Sequence, residues 1–132
     1  MKQSTREWIN AAGDDLITIE NLLDNPILTN VIAFHAQQAI EKSLKAIIEE
    51  NGAIFIKTHN LQSLFLKIEE IIPFDVNERI ISELDRLYLD SRYPGNLGLM
   101  PYGKPTLEEA EIYFREAVKI KKQAETFLNE QG

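Results

Sequence analysis

The sequence has no cysteine. That excludes a disulfide scaffold, a thiol nucleophile and any thiolate metal site. Long apolar runs are missing as well: no window approaches the roughly 18 uninterrupted apolar residues that a membrane helix needs. Basic residues are scarce, 14 Lys and Arg against 21 Asp and Glu, for a net charge of −7. Sequence-blind adsorption to nucleic acid depends on neutralising many phosphates, so no broad DNA binding is expected. A local phosphate pocket stays compatible with this balance. The opening stretch MKQSTREWIN has no apolar h-region, which predicts no secretory signal and a cytoplasmic location. Histidine occurs twice, at 35 and 59, with no His-x-x-x-His or Glu-x-x-His spacing. Asp14 and Asp15 are adjacent, and neighbouring helical residues do not converge on one ion. There is no Walker A or Gly-x-Gly-x-x-Gly string and no nucleophile elbow. No metal and no cofactor are therefore expected.

What is present is enough for one domain. The chain has 132 residues, 44% hydrophobic and 27% charged, which are ordinary globular proportions and allow a core without staples. Apolar residues recur at helical spacing in five stretches. The first spans about Thr5 to Asp24 (Trp8, Ala12, Leu16, Ile19, Leu22, Leu23) and stops at Asn25-Pro26. The second spans about Thr29 to Asn51, with the strongest stripe (Ile32, Ala36, Ala39, Ile40, Leu44, Ile47, Ile48). Thr29 or Asn30 would cap its start and Asn51-Gly52 would end it. A third runs from about Asn60 to Ile72, before Pro73, and a fourth from about Asp75 to Ser91, with Asp75 and Glu78 as a capping pair. The fifth runs from about Thr106 to Asn129 behind a Thr106/Glu109 capping box. Strand signals are nearly absent; Ala53 to Ile56 reads as a short extended link. The expected fold is all-α, an up-and-down antiparallel bundle of about five helices. The connection from Arg92 to Pro105, RYPGNLGLMPYGKP, is too long for a plain turn, and loops of this length are usually functional or disordered. Leu66, Ile81, Leu97 and Leu99 fall outside the stripes, and clustered apolar surface of this kind marks interfaces.

Three places could carry chemistry. On the second helix, His35, Gln38, Lys42, Lys45 and Glu49 fall on one face, with Gln37 and Glu41 beside it. The plain reading is a solvated face with modest ion pairs; the functional one is a cleft or dimer stripe of His35, Gln38 and Lys42. His59 stands in KTHNL at the start of the third helix, where free N–H groups favour anions. Either it packs the turn, or Lys57, Thr58 and His59 help to hold a phosphate. Arg92 follows Tyr88 by one turn and precedes Tyr93. It either braces the loop against an acid of the bundle or presents its planar fork to a phosphate, with Tyr88 or Tyr93 stacking.

The segments FHAQQAIEKSLKA, KTHNLQSL and YLDSRYP, in this order and behind WINAAGDDLITIENLL, resemble the HEPN domain family across about residues 6 to 128. The resemblance implies a five-helix bundle, a homodimer with a nucleotide or RNA site near the dimer cleft, and a minimal nucleotidyltransferase as partner. Arg92, His59, Tyr93, Tyr88 and Lys57 are the ligand-binding candidates. Some such pairs are toxin–antitoxin systems whose HEPN member is a metal-independent ribonuclease carrying an arginine followed four to six residues later by histidine. Neither Arg79, Arg86 nor Arg92 has that downstream histidine. The leading expectation is thus a binding protein, with a ribonuclease or a purely structural partner as the alternatives.

Overall fold

The computed structural model describes residues 1–52, 57–92 and 103–131, and for Arg92 the backbone alone. Five α-helices make up these residues, with no strand among them: α1 (Gln3–Glu20), α2 (Thr29–Glu50), α3 (Leu61–Ile68), α4 (Glu78–Arg92) and α5 (Leu107–Gln131). The all-α bundle is the fold that the hydrophobic periodicity predicts.

The helix ends follow local chemistry. Asn21 turns its amide back onto Ile17 O and closes α1, and Asn25 Oδ1 accepts from Ile27 N to shape the turn into α2. At the far end of α2, Gly52 has φ +66°, a left-handed conformation that glycine adopts without a Cβ penalty. The α5 capping box forms in both directions: Glu109 N donates to Thr106 Oγ1 and Thr106 N donates to Glu109 Oε1. Two expected caps are corrected. Asn77, not Asp75, caps α4, its Oδ1 accepting from Arg79 N and Ile80 N. Asp75 instead pairs its backbone with Gln123 of α5, and residues 72–77 stay outside any helix or turn. At α2 the position before the helix is Leu28, without a side-chain cap. Thr29 Oγ1 and Asn30 Oδ1 are buried with no hydrogen bond among the described residues. Helices α1 and α3 are also shorter than their apolar stripes, continuing as turns over residues 21–24 and 69–71.

Helix α2 is the centre of the molecule and contacts the other four. Its alanines (Ala33, Ala36, Ala39, Ala46) let neighbours approach closely, while Ile32, Ile40, Leu44 and Ile47 are fully buried. Each such aliphatic side chain contributes about 1.5–3 kcal/mol by leaving water. Ile19, Leu64, Leu84, Ile120 and Leu128 bring α1, α3, α4 and α5 into the same core. Helices α1 and α2 run antiparallel: Ser4 and Thr5 donate to Glu49 and Glu50, while Asp15 meets His35 and Lys42. Helices α4 and α5 also run antiparallel, with Asn77 N on Glu116 and Tyr113 on Glu83. Of the apolar residues outside the stripes, Ile81 is core and Leu66 is exposed; Leu97 and Leu99 lie outside the described residues, as does the link at Ala53 to Ile56. No described helix is long and apolar enough to cross a membrane.

Candidate functional site

A buried α2 has to satisfy every polar side chain it carries inward, and this is what builds the site. Gln37, Glu41 and Lys45 lie one turn apart and are all buried. Of the polar face read on this helix, Lys45 is buried together with Gln37 and Glu41 beside it and forms an internal polar seam, while His35, Gln38, Lys42 and Glu49 stay part-exposed. Lys45 Nζ donates to Glu41 Oε2 at 2.9 Å and lies 5.7 Å from the centre of the Trp8 ring. Gln37 Nε2 donates to the backbone carbonyl of His59 at 2.7 Å and reaches Glu41 Oε1 at 3.3 Å. Gln38 donates to Gln37 Oε1 at 2.7 Å. The seam ends at His59: its Nδ1 is 3.1 Å from both Glu41 oxygens. The Glu41 side chain is 5% exposed and that of His59 is 57% exposed.

The segment carrying His59 leads into α3. Asn60 caps this helix, its Oδ1 accepting from Ser63 N and Ser63 Oγ, while Thr58 Oγ1 accepts from Asn60 N. The next two N–H groups, Leu61 N and Gln62 N, donate to the Asp85 carboxylate of α4 at 2.7 and 3.1 Å. The free amides expected for a phosphate are thus already occupied by an internal anion. Burial raises the Asp85 pKa above its ordinary value, the two backbone hydrogen bonds pull it down, and the neighbouring Glu41 charge pushes it up again.

Next to these groups is a cavity of about 290 Å³, lined by Lys57, Thr58, His59, Asn60, Asp85, Tyr88 and Leu89. Tyr88 is buried. Its ring stacks on Phe34 at 5.9 Å and meets the His59 ring at 5.5 Å, so α2 and α4 together hold the imidazole from behind. Lys57 is exposed. Arg92 ends α4 one turn beyond Tyr88, with its side chain outside the described residues; Tyr93 lies outside them too. Four of the five ligand-binding candidates therefore have a described place near one end of α4: Lys57, His59 and Tyr88 at the cavity, and Arg92 by its backbone.

His35 and Lys42 go elsewhere. Both turn to Asp15 of α1, His35 Nδ1 and Lys42 Nζ each lying 2.8 Å from one carboxylate oxygen. The residues that pattern reading passed over are Asp15, Glu41 as a partner of His59, and Asp85. Glu41 had a signal, being one turn from both Gln37 and Lys45; Asp85 had none, because its partners are backbone amides 23 and 24 residues away. Among the described residues no three His, Asp or Glu side chains converge as a metal site would require.

A family model described as HEPN domain matches residues 5–130, nearly the whole chain. The chain belongs to the HEPN domain family. Two solved structures share this HEPN fold. One is that of TT1696 from Thermus thermophilus, with 26% identity and a TM-score of 0.71, covering 95% of this chain and 98% of that one. The other is ST0689, an archaeal HEPN homologue, with 23% identity and a TM-score of 0.69, covering 96% and 98%. No curated protein matches the chain.

Proposed function

We propose that this HEPN domain binds a nucleotide or a short stretch of RNA, acts as a homodimer, and works beside a minimal nucleotidyltransferase in a toxin–antitoxin-type pair. The observation that carries the binding reading is the cavity at the start of α3. It gathers an exposed Lys57, a half-exposed His59 and the Tyr88 ring, with the Asp85 carboxylate of the same lining already engaged by the α3 amides. Its volume of about 290 Å³ is at the lower end of ordinary ligand pockets, a size suited to one nucleotide unit. Phosphate would meet Lys57 and His59 from the open side, because Asp85 fills the amide cradle of α3. Arg92, one turn past Tyr88, would supply a further cation. The dimer and the nucleotidyltransferase partnership rest on the family alone.

The test is thermal protection with ATP, GTP and a short RNA. A ligand that binds only the folded state raises its apparent stability. A saturable rise, lost in Lys57→Ala and His59→Ala, supports the reading; no rise at millimolar nucleotide contradicts it. Light scattering tests the dimer, where a single species of 15.1 kDa would contradict it. Co-expression with a minimal nucleotidyltransferase tests the partnership. The ribonuclease alternative keeps one observation in its favour, the His59–Glu41 pair.

A further inference from the structure

Leu66 and Ile81 fall outside the apolar stripes of the sequence, yet the fold brings both to one cavity. It lies along α3 and the start of α4, has a volume of about 270 Å³, and shares no lining residue with the cavity at His59. Its floor is buried Phe65 and Ile81, with half-buried Val76 beside them. Phe74 meets the Phe65 ring edge-on at 5.9 Å and backs it from the other side. The rim is open: Leu66 is 67% exposed, and Glu69 and Glu78 are exposed as well. A lone exposed leucine is ordinary on a protein surface. Leu66 differs because it continues an apolar floor outward. A small molecule filling the cavity would leave Leu66 in water, so an occupant that covers it must extend past the rim.

Charge selects that occupant. Among the described residues Glu69 and Glu78 make no ion pair, while the cations next to them in the chain are taken, Lys67 by Glu70 and Arg79 by Glu83. No basic residue lines the cavity. A second copy docking here about a two-fold axis would set these carboxylates against their own copies. Shape selects its form. The described residues include no strand whose edge a peptide could extend, and a seam between two helices is a groove into which an amphipathic helix lays its apolar face.

We propose that the α3–α4 groove docks an amphipathic helix of another protein, with apolar side chains one turn apart and lysine or arginine on its flanks. One apolar side chain enters the cavity onto Phe65 and Ile81, and the next covers Leu66. The flanking cations meet Glu69 and Glu78. This docking face is independent of the nucleotide reading and stands or falls without it.

The experiment titrates the full-length protein into a fluorescent synthetic peptide of about 15 residues, the length at which isolated helices begin to hold. The peptide carries leucine at i, i+3, i+4 and i+7 and lysine beside that stripe. One control peptide has glutamate for lysine, and another has serine for leucine. The expected result is saturable anisotropy with the leucine–lysine peptide and affinity at least ~10-fold weaker for either control. Leu66→Ser should weaken binding about 10-fold. Glu69→Gln with Glu78→Gln should weaken it about 3- to 10-fold and remove most of its salt dependence. Glu20→Gln with Glu108→Gln makes the same charge change away from the groove and should stay within about 2-fold. All five side chains are exposed, so the variants keep the fold, which their melting temperatures check. No saturable binding overturns the proposal. Binding that Leu66→Ser leaves unchanged, or that falls equally in the Glu20/Glu108 variant, reports net charge alone and overturns it too. Spermidine bound through Glu69 and Glu78, with no binding of the peptide, would make the groove a small-cation pocket and likewise overturn it.

Discussion

The bundle contains the same three-residue arrangement twice. At the α1–α2 seam, the Asp15 carboxylate takes Nδ1 of His35 on one oxygen and Lys42 on the other. At the α2–α3 seam, the Glu41 carboxylate takes Nδ1 of His59 and Nζ of Lys45. What differs is what lies in front of the histidine. The His35 side chain is 25% exposed and packs edge-on to Phe34 at 5.3 Å. His59 is more than twice as open and lines a cavity. The lysines differ in the opposite sense, 24% exposed for Lys42 and 8% for Lys45. The same histidine–lysine pairing thus serves two ends: the first ties two helices together, and the second, with Gln37 added on Glu41, spends its burial on the cation and frees the imidazole.

The comparison breaks most visibly at the carboxylates. Glu41→Ala leaves Lys45 buried without its partner carboxylate and should cost about 3–5 kcal/mol in urea unfolding. Asp15→Ala should cost less, about 1–3 kcal/mol, because Lys42 and His35 can turn to water. Equal losses would mean that lysine burial does not set the difference. Asp85 sharpens the same point, since it holds backbone in place of side chains. Asp85→Ala strips the acceptor from Leu61 N and Gln62 N, and should cost about 1–3 kcal/mol. Chemical unfolding that moves by only a few tenths would show that these amides find water instead.

At the histidines the effect on stability is smaller and reverses. His35→Ala should cost about 1 kcal/mol, the net worth of one part-exposed interhelical hydrogen bond. His59→Ala should stay within about 0.5 kcal/mol, as exposed substitutions do, while losing the ligand response. The smallest effects are in the acid limb. The Glu50 pKa is lowered, first by the backbone N–H of Lys2 and the Thr5 hydroxyl. Its stabilisation is present above the ordinary glutamate value and is lost as pH falls through the lowered folded value. Asp85 has the opposite sign. Its raised pKa favours the protonated fold, an increment fully present below the ordinary aspartate value and lost as pH rises through the raised one. Comparing stability against pH in Thr5→Val and Asp85→Asn should flatten these two slopes separately.

Much of the fold was legible because apolar spacing reports directly on which faces are covered. Five helices, the Thr106/Glu109 box and the Gly52 stop all followed from nearest-neighbour chemistry. The start of α4 did not. Asp75 and Glu78 have capping spacing, but Gln123 captures Asp75 from another helix, and no local rule sees that. The site was half legible for the same reason. His59, Lys57 and Tyr88 carry recognisable chemistry in the sequence. Asp85 becomes part of the site only through backbone amides brought from a different helix. The polar face of α2 looked solvated because a helix pattern shows which residues share a face, not how many neighbours surround it. With α1, α3, α4 and α5 all packed on α2, its Gln37–Glu41–Lys45 edge is interior, while His35, Gln38 and Lys42 stay part-exposed.

The most direct measurement uses the fact that the chain has only two histidines, one in each arrangement. The two ring spectra can be followed by NMR while AMP or a short RNA is added to the full-length protein. The expected result is that the His59 signals move saturably and those of His35 stay in place, with the His59 shifts lost in Lys57→Ala. Motion of His35 with His59 unchanged, or no motion of either ring at saturating ligand, would contradict the assignment of the α2–α3 seam as the working half of the molecule.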